Sequence, residues 1–422
     1  MRILIVSFFF PPYNAIGSVR VGKTAKYLIA QGHEIRVVGA KDCPFPSTLE
    51  LEIPESDVKY VQWVNVGLEV DFTKKSAASA AFNMKPGMVR SFLRVMARFY
   101  RNIANIPDGQ IGWIPGAVKA GSATVEEWRP DLIFASAMPI SSLLVGEKLS
   151  AKFNIPWVAE LRDLWTDNHY NSYPWWRMPI EKRMEKRVLN SCSGMVTVSK
   201  PLADTLAKKY PAPVQVILNG YDEDDIAEGV VPTKGLPLRI TYTGNLYQFR
   251  RDPSPLFEAI SKDKSLADNL MLDFYGTDFA VLRQLIEKFQ IDKCVQPHSA
   301  VSHKESLEIQ QTADVLLLLL YNHPLEKGVL TGKLFEYIGS GRPVLCIGGA
   351  NSEAARLIQE RGLGVATDDP AEIAQQLKKW IAMKQDQGAV PANPPEGKQG
   401  LSRKEQVSEL SKFLVGILSK TS

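Results

Sequence analysis

The chain has 422 residues, a length that suggests two domains. Of these residues 45% are hydrophobic and 23% charged, which is typical of a soluble globular protein. A formal net charge of only +4 gives no support to nucleic-acid binding, and the longest apolar run is too short to span a membrane. Four scattered cysteines without a Cys-x-x-Cys spacing indicate neither a disulfide framework nor a zinc site, so we expect reduced thiols in a cytosol.

The first residues predict a unit of strand, helix and strand. The apolar, β-branched run Arg2–Ser7 predicts a buried parallel strand, and because the chain enters it at once we expect no signal peptide. Proline then ends the strand, since it cannot continue a hydrogen-bonded ladder. Gly17 precedes a helix with one apolar face, and residues 34–39 predict the next strand. Gly17 stands alone, so this turn lacks the Gly-x-Gly-x-x-Gly fingerprint of dinucleotide-binding proteins.

Strands and helices continue to alternate along both halves of the chain, which predicts two parallel sheets with right-handed crossovers. Between the halves, the polar stretch Asp222–Pro237 is typical of a linker. We therefore expect an N-terminal domain over residues 1–218, a linker over 219–237 and a C-terminal domain over 238–400. Two such sheets leave a cleft at the carboxyl ends of their strands, where open α/β sheets bind ligands. The remaining strands are predicted at 131–136, 157–161, 195–199, 213–218, 238–243, 271–275, 295–298, 315–320, 344–347 and 364–366.

The last segment, residues 401–422, predicts a helix that packs back on the N-terminal domain. Ser402 and Glu405 have the spacing of a capping box at its start. An apolar stripe continues along one face of this helix and consists of Val407, Leu410, Leu414, Ile417 and Leu418.

The stretch Gly328–Pro343 carries the strongest chemical signal in the chain. A glycine-flanked loop runs into a short helix, whose first backbone N–H groups and positive dipole end suit a phosphate. Thr331 can cap this helix, Gly332 lets an anion approach closely, and Lys333 brings a mobile positive charge. Glu336 lies about one turn into the helix, where its carboxylate can accept hydrogen bonds from a ribose. The alternative is an ordinary loop, helix and strand with a surface lysine and glutamate.

Five short motifs stand in order along nearly the whole chain. They are Phe10-Pro11-Pro12 with Gly17 and Arg20, Gly32-His33, Asn219-Gly220-Tyr221-Asp222, Tyr242-Thr243-Gly244-Asn245, and Gly332-Lys333-Leu334-Phe335-Glu336 with Gly341-Arg342-Pro343-Val344. These motifs resemble those of family 4 glycosyltransferases. That family has the GT-B architecture, an α/β fold in which two Rossmann-like domains with parallel sheets face each other across a cleft. The resemblance is specific for the family and not for a substrate.

The resemblance implies a retaining transfer of a sugar from a nucleotide diphosphate sugar to an acceptor hydroxyl. In this family the C-terminal domain holds the nucleotide, the N-terminal domain presents the acceptor, and no metal is required. The family pattern has two glutamates with seven residues between them. Glu336 matches the second, which binds the ribose hydroxyls, but Gly328 stands where the first would be. The first glutamate touches the donor sugar and Glu326 does not have its spacing, so the resemblance leaves recognition of the donor sugar open.

Cleavage of a sugar–diphosphate bond places negative charge on the leaving phosphate, so the site requires fixed positive groups. Arg250 and Arg251 follow the Gly244-Asn245 turn, and in the family a basic pair in this region binds the diphosphate. Arg251 fits the more constant position, and the fork of an arginine side chain can bind two phosphate oxygens. Lys333 and Lys327 compete to supply the remaining charge. The alternative is a pair of solvated loop arginines and a surface lysine.

Two residues of the N-terminal half complete the predicted site. In the family, the glycine of the first strand–helix turn allows the backbone to approach the donor phosphate, and Gly17 matches it; the alternative is a glycine needed only for a tight turn. Asp163 follows a buried strand, and a carboxylate there could orient the acceptor hydroxyl or stabilise an oxocarbenium-like centre. The alternative for Asp163 is a structural pair with Arg162. We therefore assign catalytic roles to Asp163, Arg251 and Lys333 and donor binding to Gly17, Gly244, Asn245, Arg250, Thr331, Gly332 and Glu336.

Two further segments bear on metal and membrane binding. The Asp-x-Asp spacing in Asp222–Asp225 lies in the linker and is interpreted as a solvated acidic turn, not a metal site. Residues 89–105 have the pattern of a basic amphipathic helix, which can lie on an anionic leaflet, and Trp175-Trp176-Arg177 could add an interfacial anchor. The alternative is an ordinary helix packed on its own domain. A membrane-bound chain would act on a lipid-linked acceptor at the inner face of the plasma membrane; otherwise we expect a cytoplasmic protein.

The sequence thus predicts a glycosyltransferase of cell-surface polysaccharide or glycolipid assembly, with a nucleotide-sugar donor and a glycan or lipid-linked acceptor. Two alternatives remain. A non-hydrolysing nucleotide-sugar epimerase has the same architecture and would turn over the donor without an acceptor. A noncatalytic sugar-nucleotide-binding partner of an active transferase is favoured by the missing first glutamate.

Overall fold

A computed structural model describes residues 1–66, 100, 102–168, 170–171, 173–227, 229–247 and 250–421. Residues 89–99 and 101 of the predicted amphipathic helix over 89–105 lie outside these described residues. The chain divides into two compact units. The first comprises Met1–Val198, Leu202–Ile217 and Val407–Ser422, and the second comprises Ser199–Pro201 and Leu218–Gln406.

The first unit contains a sheet of parallel strands. In the described residues its spatial order is β3-β2-β1-β4-β5-β6-β7. The direction of the strand order reverses between β1 and β4, and such a switch point opens a crevice at the carboxyl ends of the two strands. The strands are β1 (Arg2–Val6), β2 (Glu34–Ala40), β3 (Val58–Val61), β4 (Leu132–Ala137), β5 (Trp157–Leu161), β6 (Gly194–Thr197) and β7 (Val214–Val216).

Helices cover both faces of this sheet, so its central strands are buried throughout. Every residue of β4 and β5 is buried, which matches the near-continuous apolar sequence expected of central parallel strands. The described helices of this unit are α1 (Ile16–Ala30), α2 (Ile114–Trp128), α3 (Ser141–Phe153), α4 (Arg177–Asn190) and α5 (Lys200–Lys209), with 3-10 turns at Glu55–Asp57 and Ile111–Trp113.

The second unit repeats this construction with a sheet in the order β10-β9-β8-β11-β12-β13, again parallel throughout. Its switch point lies between β8 and β11. The strands are β8 (Leu238–Thr243), β9 (Leu270–Tyr275), β10 (Val295–His298), β11 (Val315–Leu319), β12 (Val344–Ile347) and β13 (Gly364–Ala366). The described helices are α6 (Ser254–Ser261), α7 (Lys264–Ala267), α8 (Phe279–Phe289), α9 (His303–Thr312), α10 (Gly332–Ser340), α11 (Glu353–Glu360), α12 (Pro370–Gln387) and α13 (Pro395–Lys398), with 3-10 turns at Glu223–Asp225 and Pro324–Glu326.

The chain closes with helix α14 (Arg403–Thr421), and the predicted capping box at its start is confirmed. The Ser402 amide donates to Glu405 Oε2 at 3.0 Å, and the Glu405 amide donates to Ser402 Oγ at 3.3 Å. The apolar residues of the predicted stripe from Val407 to Ile417 are buried in a core that also contains Ile3 and Ile5 of β1.

The predicted fold class, two parallel α/β sheets covered by helices, is confirmed. The strand β3 was not predicted, because its four residues include the exposed Lys59 and form the edge of the sheet, so they carry little apolar periodicity. Among the described residues, no helix combines the length and the apolar character that crossing a membrane requires.

Candidate functional site

The turn after β8 brings a glycine and a lysine together in the second unit. Gly244 follows β8 with φ of +135°, a conformation that favours glycine, and its amide donates to the Tyr275 carbonyl at 2.7 Å. A Cβ atom at this position would clash with Nζ of Lys333. Glycine is therefore required here both by the backbone angle and by the close approach of the Lys333 ammonium.

Tyr242, the fifth residue of β8, gathers the positive groups of this region. Lys333 Nζ lies 4.8 Å from the centre of the Tyr242 ring, and the Tyr242 hydroxyl donates to the Asn245 carbonyl at 2.9 Å. Burial raises the pKa of Tyr242, and the guanidinium of Arg251 beside its hydroxyl opposes that change. Arg251 also stacks over Tyr247 at 4.6 Å. The structure thus brings the predicted residues Gly244, Asn245, Arg251 and Lys333 together around one tyrosine that was not assigned a role from the sequence.

The Lys333 ammonium is held in surroundings that disfavour its charge. Burial and the neighbouring Arg251 lower the pKa of Lys333 to about 8, while Glu336 opposes the change. Two neighbouring cations that are partly buried repel each other. An anion that binds between them is therefore favoured, because it lowers the free energy of the pair. The pair is therefore suited to a phosphate group.

Helix α10 begins at Gly332, but the prediction that Thr331 caps it with its side chain is wrong. Thr331 occupies the N-cap position, yet the Leu334 amide donates to its carbonyl oxygen at 3.2 Å and not to its hydroxyl. The hydroxyl is buried without a hydrogen-bond partner among the described residues. Gly332 is exposed, and a Cβ atom there would meet open space. In the described part of the chain the amides of Gly332 and Lys333 have no acceptor, so they remain available to an anion.

Glu336 presents an ionised carboxylate one turn into the same helix. Its Oε2 accepts from Gln310 Nε2 at 3.1 Å, and its Oε1 lies 3.4 Å from His303 Nε2. Burial acts to raise the pKa of Glu336, but His303, Gln310 and Lys333 together bring that pKa below its ordinary value. The side chain keeps 31% of its surface exposed, so the carboxylate can still accept from ligand hydroxyls.

The pair of His303 with Glu336 predicts a pH-dependent contribution to stability. The Glu336 carboxylate raises the pKa of His303 above 6.5, against the effect of burial. A histidine with a raised folded-state pKa contributes its full stabilisation below its unfolded pKa, and this is lost as the pH rises through the folded pKa. We expect the His303→Gln variant to melt about 2 °C below the unmodified protein at acidic pH, and the gap to close at alkaline pH. Calorimetry of both proteins across this range checks it, and a gap that widens with pH would contradict it.

The second predicted arginine, Arg250, has contacts of its own. The Arg250 guanidinium is 5.9 Å from the centre of the Tyr321 ring. It also lines a cavity of about 420 Å³ together with Asn245, Leu246, Tyr247, Asp278 and Val281. Arg250 and Arg251 thus both lie near Tyr247, but the charge of Arg251 is the one that acts on Lys333.

The position of the absent glutamate is enclosed by neighbouring atoms. A Cβ atom at Gly328 would lie 3.1 Å from Pro201 Cβ and 3.5 Å from Ser199 Oγ. A longer side chain would require those residues to move. Glu326, the nearest carboxylate in sequence, is only 8% exposed in its 3-10 turn. Neither position offers an open carboxylate to a ligand.

In the first unit, the start of α1 approaches an arginine from the turn after β5. Gly17 is the second residue of this helix and does not precede it, as the sequence had predicted. A Cβ atom at Gly17 would lie 2.6 Å from Arg162 Nη2. Arg162 Nε donates to the Ala137 carbonyl at 2.8 Å, and Nη2 donates to the Met138 carbonyl at 3.1 Å. The Arg162 guanidinium therefore lies at the carboxyl ends of β1 and β4, beside the switch point of this sheet. Gly17 leaves room for this guanidinium.

Asp163 and Glu160 differ sharply in their surroundings. Asp163 is exposed after the end of β5, and its charge together with that of Glu160 opposes the lowering of the Arg162 pKa by burial. Glu160 is buried, accepts from Arg20 Nε at 2.8 Å and accepts from Ser136 Oγ at 2.5 Å. Glu160 is thus committed to an internal ion pair, whereas the Asp163 side chain is exposed to solvent.

A substitution of Gly17 tests this close approach. We expect Gly17→Ala to displace the Arg162 guanidinium from its two carbonyl acceptors, since overpacking of this kind costs about 1 to 3 kcal/mol. Transfer activity should fall at least about tenfold. The matched control is Gly416→Ala, where a Cβ atom meets nothing within 4 Å, and this variant should remain as active as the unmodified protein. Full activity of Gly17→Ala would show that the glycine is dispensable.

The acidic turn at Asp222 is part of the fold. Asp222 is only 4% exposed, and its Oδ1 accepts from the Asp224 amide at 3.1 Å. Asp222 is thus buried and not solvated as expected. Within the described ranges, no three histidine, cysteine, aspartate or glutamate residues are grouped so that they could hold a metal ion.

Comparisons with known proteins agree with this geometry. The family model Glycosyltransferase Family 4 matches residues 17–225. A search of curated protein sequences finds no match.

Solved structures match the whole chain at low sequence identity. Sucrose-phosphate synthase from Thermosynechococcus elongatus aligns over 100% of both chains with a TM-score of 0.64 and 14% identity. The Anabaena protein HepE in complex with UDP aligns over 99% of this chain and 100% of its own, with a TM-score of 0.65 and 16% identity. WaaG, a glycosyltransferase involved in lipopolysaccharide biosynthesis, aligns over 99% of this chain and 100% of its own, with a TM-score of 0.57 and 13% identity.

These similarities confirm the predicted fold and family. The full-length alignments show that the chain has the fold of GT-B glycosyltransferases. The family match covers most of the first unit, including Gly17 and Arg162. The chain belongs to glycosyltransferase family 4 and is a glycosyltransferase with the GT-B fold.

Proposed function

We propose that this glycosyltransferase transfers a sugar from a nucleoside diphosphate sugar to an acceptor hydroxyl with retention of the anomeric configuration. The observation that carries the proposal is the group of Lys333, Arg251 and Glu336 in the second unit. Lys333 stands at the start of α10, whose first two amides have no acceptor among the described residues, and Arg251 lies near Lys333. The carboxylate of Glu336 stands one turn further along the helix. Such a group matches the two ends of a nucleoside diphosphate, which are an anionic diphosphate and a ribose with two hydroxyls.

The chemistry of each residue follows from its charge. The amides of α10, Lys333 and Arg251 neutralise the negative charge that develops on the diphosphate as the bond to the sugar breaks. Glu336 accepts hydrogen bonds from the ribose and holds the nucleotide in place. Asp163 is proposed to orient the acceptor hydroxyl or to stabilise the positive charge on the sugar. Because the positive charge comes from side chains and amides, we propose a reaction that requires no metal.

The complex of the structurally similar HepE with UDP supports a nucleotide donor. The similarity to WaaG, which is involved in lipopolysaccharide biosynthesis, supports a role in the assembly of a cell-surface glycan or glycolipid. We propose a glycan or a lipid-linked sugar as the acceptor.

The decisive experiment combines donor binding with product analysis. A thermal-shift screen of UDP and GDP identifies the base, because a ligand that binds only the folded state raises the melting temperature. The purified protein is then given the sugar nucleotide with and without candidate acceptors, and NMR reports the anomeric configuration of the product. We expect transfer with retention, unchanged by a metal chelator and lost in Glu336→Ala.

Each alternative has its own outcome in this experiment. If the protein converts the donor to an epimer when no acceptor is present, it is an epimerase and the proposal is wrong. Binding of UDP or GDP without any turnover would favour a noncatalytic partner, and an inverted product would overturn retention alone.

A further inference from the structure

In the first unit, an exposed tryptophan lies beside a helix face whose charged residues are all positive. Trp175 has 86% of its surface exposed, and Ile180, in the first turns of helix α4, has 44% exposed. Exposure of large apolar side chains to water is unfavourable, and a partner that covers them would lower the free energy. The two residues stand at the N-terminal end of α4, directly beside its charged face.

Beyond its buried first residue, Arg177, the charges of α4 are divided by sign between an exposed and a buried face. Lys182, Arg183, Lys186 and Arg187 are exposed. Glu181 and Glu185, the helix's two acidic residues, are buried. At 100° per residue the four cations occupy less than half of the helix circumference. The surface that α4 presents is therefore cationic, with no acidic residue of its own helix to balance it.

The buried glutamates are engaged inside the unit and cannot neutralise this face. Glu181 accepts from Trp165 Nε1 at 2.8 Å and from Arg177 Nε at 2.7 Å. Glu185 accepts from Thr166 Oγ1 and lies 3.3 Å from Lys209 Nζ. Arg177 is itself buried, so it cannot form part of an interfacial anchor as the sequence suggested.

The neighbouring helix α3 changes this balance little. Its Glu147 lies 3.5 Å from Arg187 Nε, and its Lys148 is exposed. Among the described residues, Lys182, Arg183 and Lys186 have no ion-pair partner. Three unpaired cations thus remain beside the exposed tryptophan.

We propose that Trp175, Ile180 and the cations of α4 form a docking surface for an anionic phospholipid bilayer. Tryptophan is favoured at the boundary between headgroups and acyl chains, because its ring is apolar and its N–H is polar. Lysine and arginine near an anionic leaflet add attraction that decays within a Debye length. A nucleic acid would account for the cations but not for an exposed isoleucine beside them. The lipid binding is independent of the transfer reaction, but its consequence, a lipid-linked acceptor, rests on the proposed function.

Vesicle flotation tests the surface directly. The purified full chain is mixed with vesicles of phosphatidylcholine alone or with about one third phosphatidylglycerol, in low and in high salt. We expect binding only to the anionic vesicles, and release at high salt. The triple variant Lys182→Gln/Arg183→Gln/Lys186→Gln should bind about tenfold to a hundredfold more weakly, and Trp175→Ala several-fold more weakly.

A matched variant separates this surface from net charge. Arg283→Gln/Lys288→Gln/Lys293→Gln removes three exposed cations from the second unit, and it should bind as the unmodified protein does. The melting temperature of each variant verifies that it is folded. Tryptophan fluorescence should shift to the blue on anionic vesicles, and this shift should be absent in Trp175→Phe.

The proposal is overturned by failure to bind either vesicle, by an equal loss in the two triple variants, or by tighter binding to a single-stranded oligonucleotide than to anionic vesicles. Donor turnover is measured separately in solution. A protein that binds vesicles but fails to transfer sugar would contradict the proposed function and leave the docking surface standing.

Discussion

The variant Glu336→Gln is expected to bind UDP, or GDP if that is the preferred nucleotide, about a hundredfold more weakly than the unmodified protein. The carboxylate accepts from Gln310 and lies beside His303, so it is held in place and ionised before the ligand arrives. Replacement by a neutral amide removes charge-assisted hydrogen bonds to two ribose hydroxyls, a loss of about 3 kcal/mol. Isothermal titration calorimetry measures the change in Kd.

The ribose itself provides the control for this prediction. The 2′,3′-dideoxy nucleotide should bind the unmodified protein about a hundredfold more weakly, but bind Glu336→Gln nearly as well as the ribonucleotide does. Glu287→Gln, an exposed glutamate on α8, should behave as the unmodified protein. If removal of the two ribose hydroxyls weakens binding equally in the unmodified protein and in Glu336→Gln, Glu336 does not hold the ribose.

The variant Lys333→Met is expected to lose about two to three orders of magnitude in kcat/KM for transfer. The ammonium lies beside Gly244, Tyr242 and Arg251, where the diphosphate is proposed to bind, and loss of such a group removes charge stabilisation from the transition state. The ratio of UDP to uridine affinity should fall strongly in this variant. Lys327→Met, in which the exposed competing lysine is removed, should keep both values.

The lowered pKa of Lys333 gives this prediction a pH signature. Below about 8 the lysine is charged, and above it the donor-free protein loses this charge. The affinity of the unmodified protein for UDP should therefore decrease above about pH 8 by up to about tenfold per pH unit. The Lys333→Arg variant should lose this dependence, because arginine stays protonated. A profile that is equally steep in Lys333→Arg would assign the titration to another group.

The lowered pKa of Lys333 also predicts that the loss of activity in Lys333→Met does not come from unfolding. The folded protein holds the Lys333 proton less tightly than the unfolded chain, whose lysine has a pKa of about 10.5. The charged lysine therefore disfavours the folded state at neutral pH, and stability rises with pH as the lysine loses its proton. We expect Lys333→Met to melt at no lower temperature than the unmodified protein at pH 7. A large decrease in its melting temperature would contradict this account.

Local patterns were sufficient for most of the fold. The runs 157–161, 238–243 and 344–347 are strands with the predicted bounds, because strands inside a parallel sheet are largely buried and apolar. The edge strand 295–298 also has the predicted bounds. The strand β3 was not predicted, because its four residues include the exposed Lys59 and have little apolar periodicity. Thr331 shows another limit. Its residue type and position are those of a cap, but the side-chain rotamer depends on packing that the sequence does not reveal.

The sequence by itself determined the two parallel sheets, the glycine-flanked start of α10, and the place of Lys333 and Glu336 on it, because periodicity and helix geometry act over a few residues. Only the tertiary structure decided which side chains meet there. Tyr242 joins Lys333 and Arg251, and Gln310 holds Glu336, through contacts between segments far apart in the chain. Such contacts depend on the order of strands in the sheet, and strand order is set by packing of the whole unit and not by any local stretch.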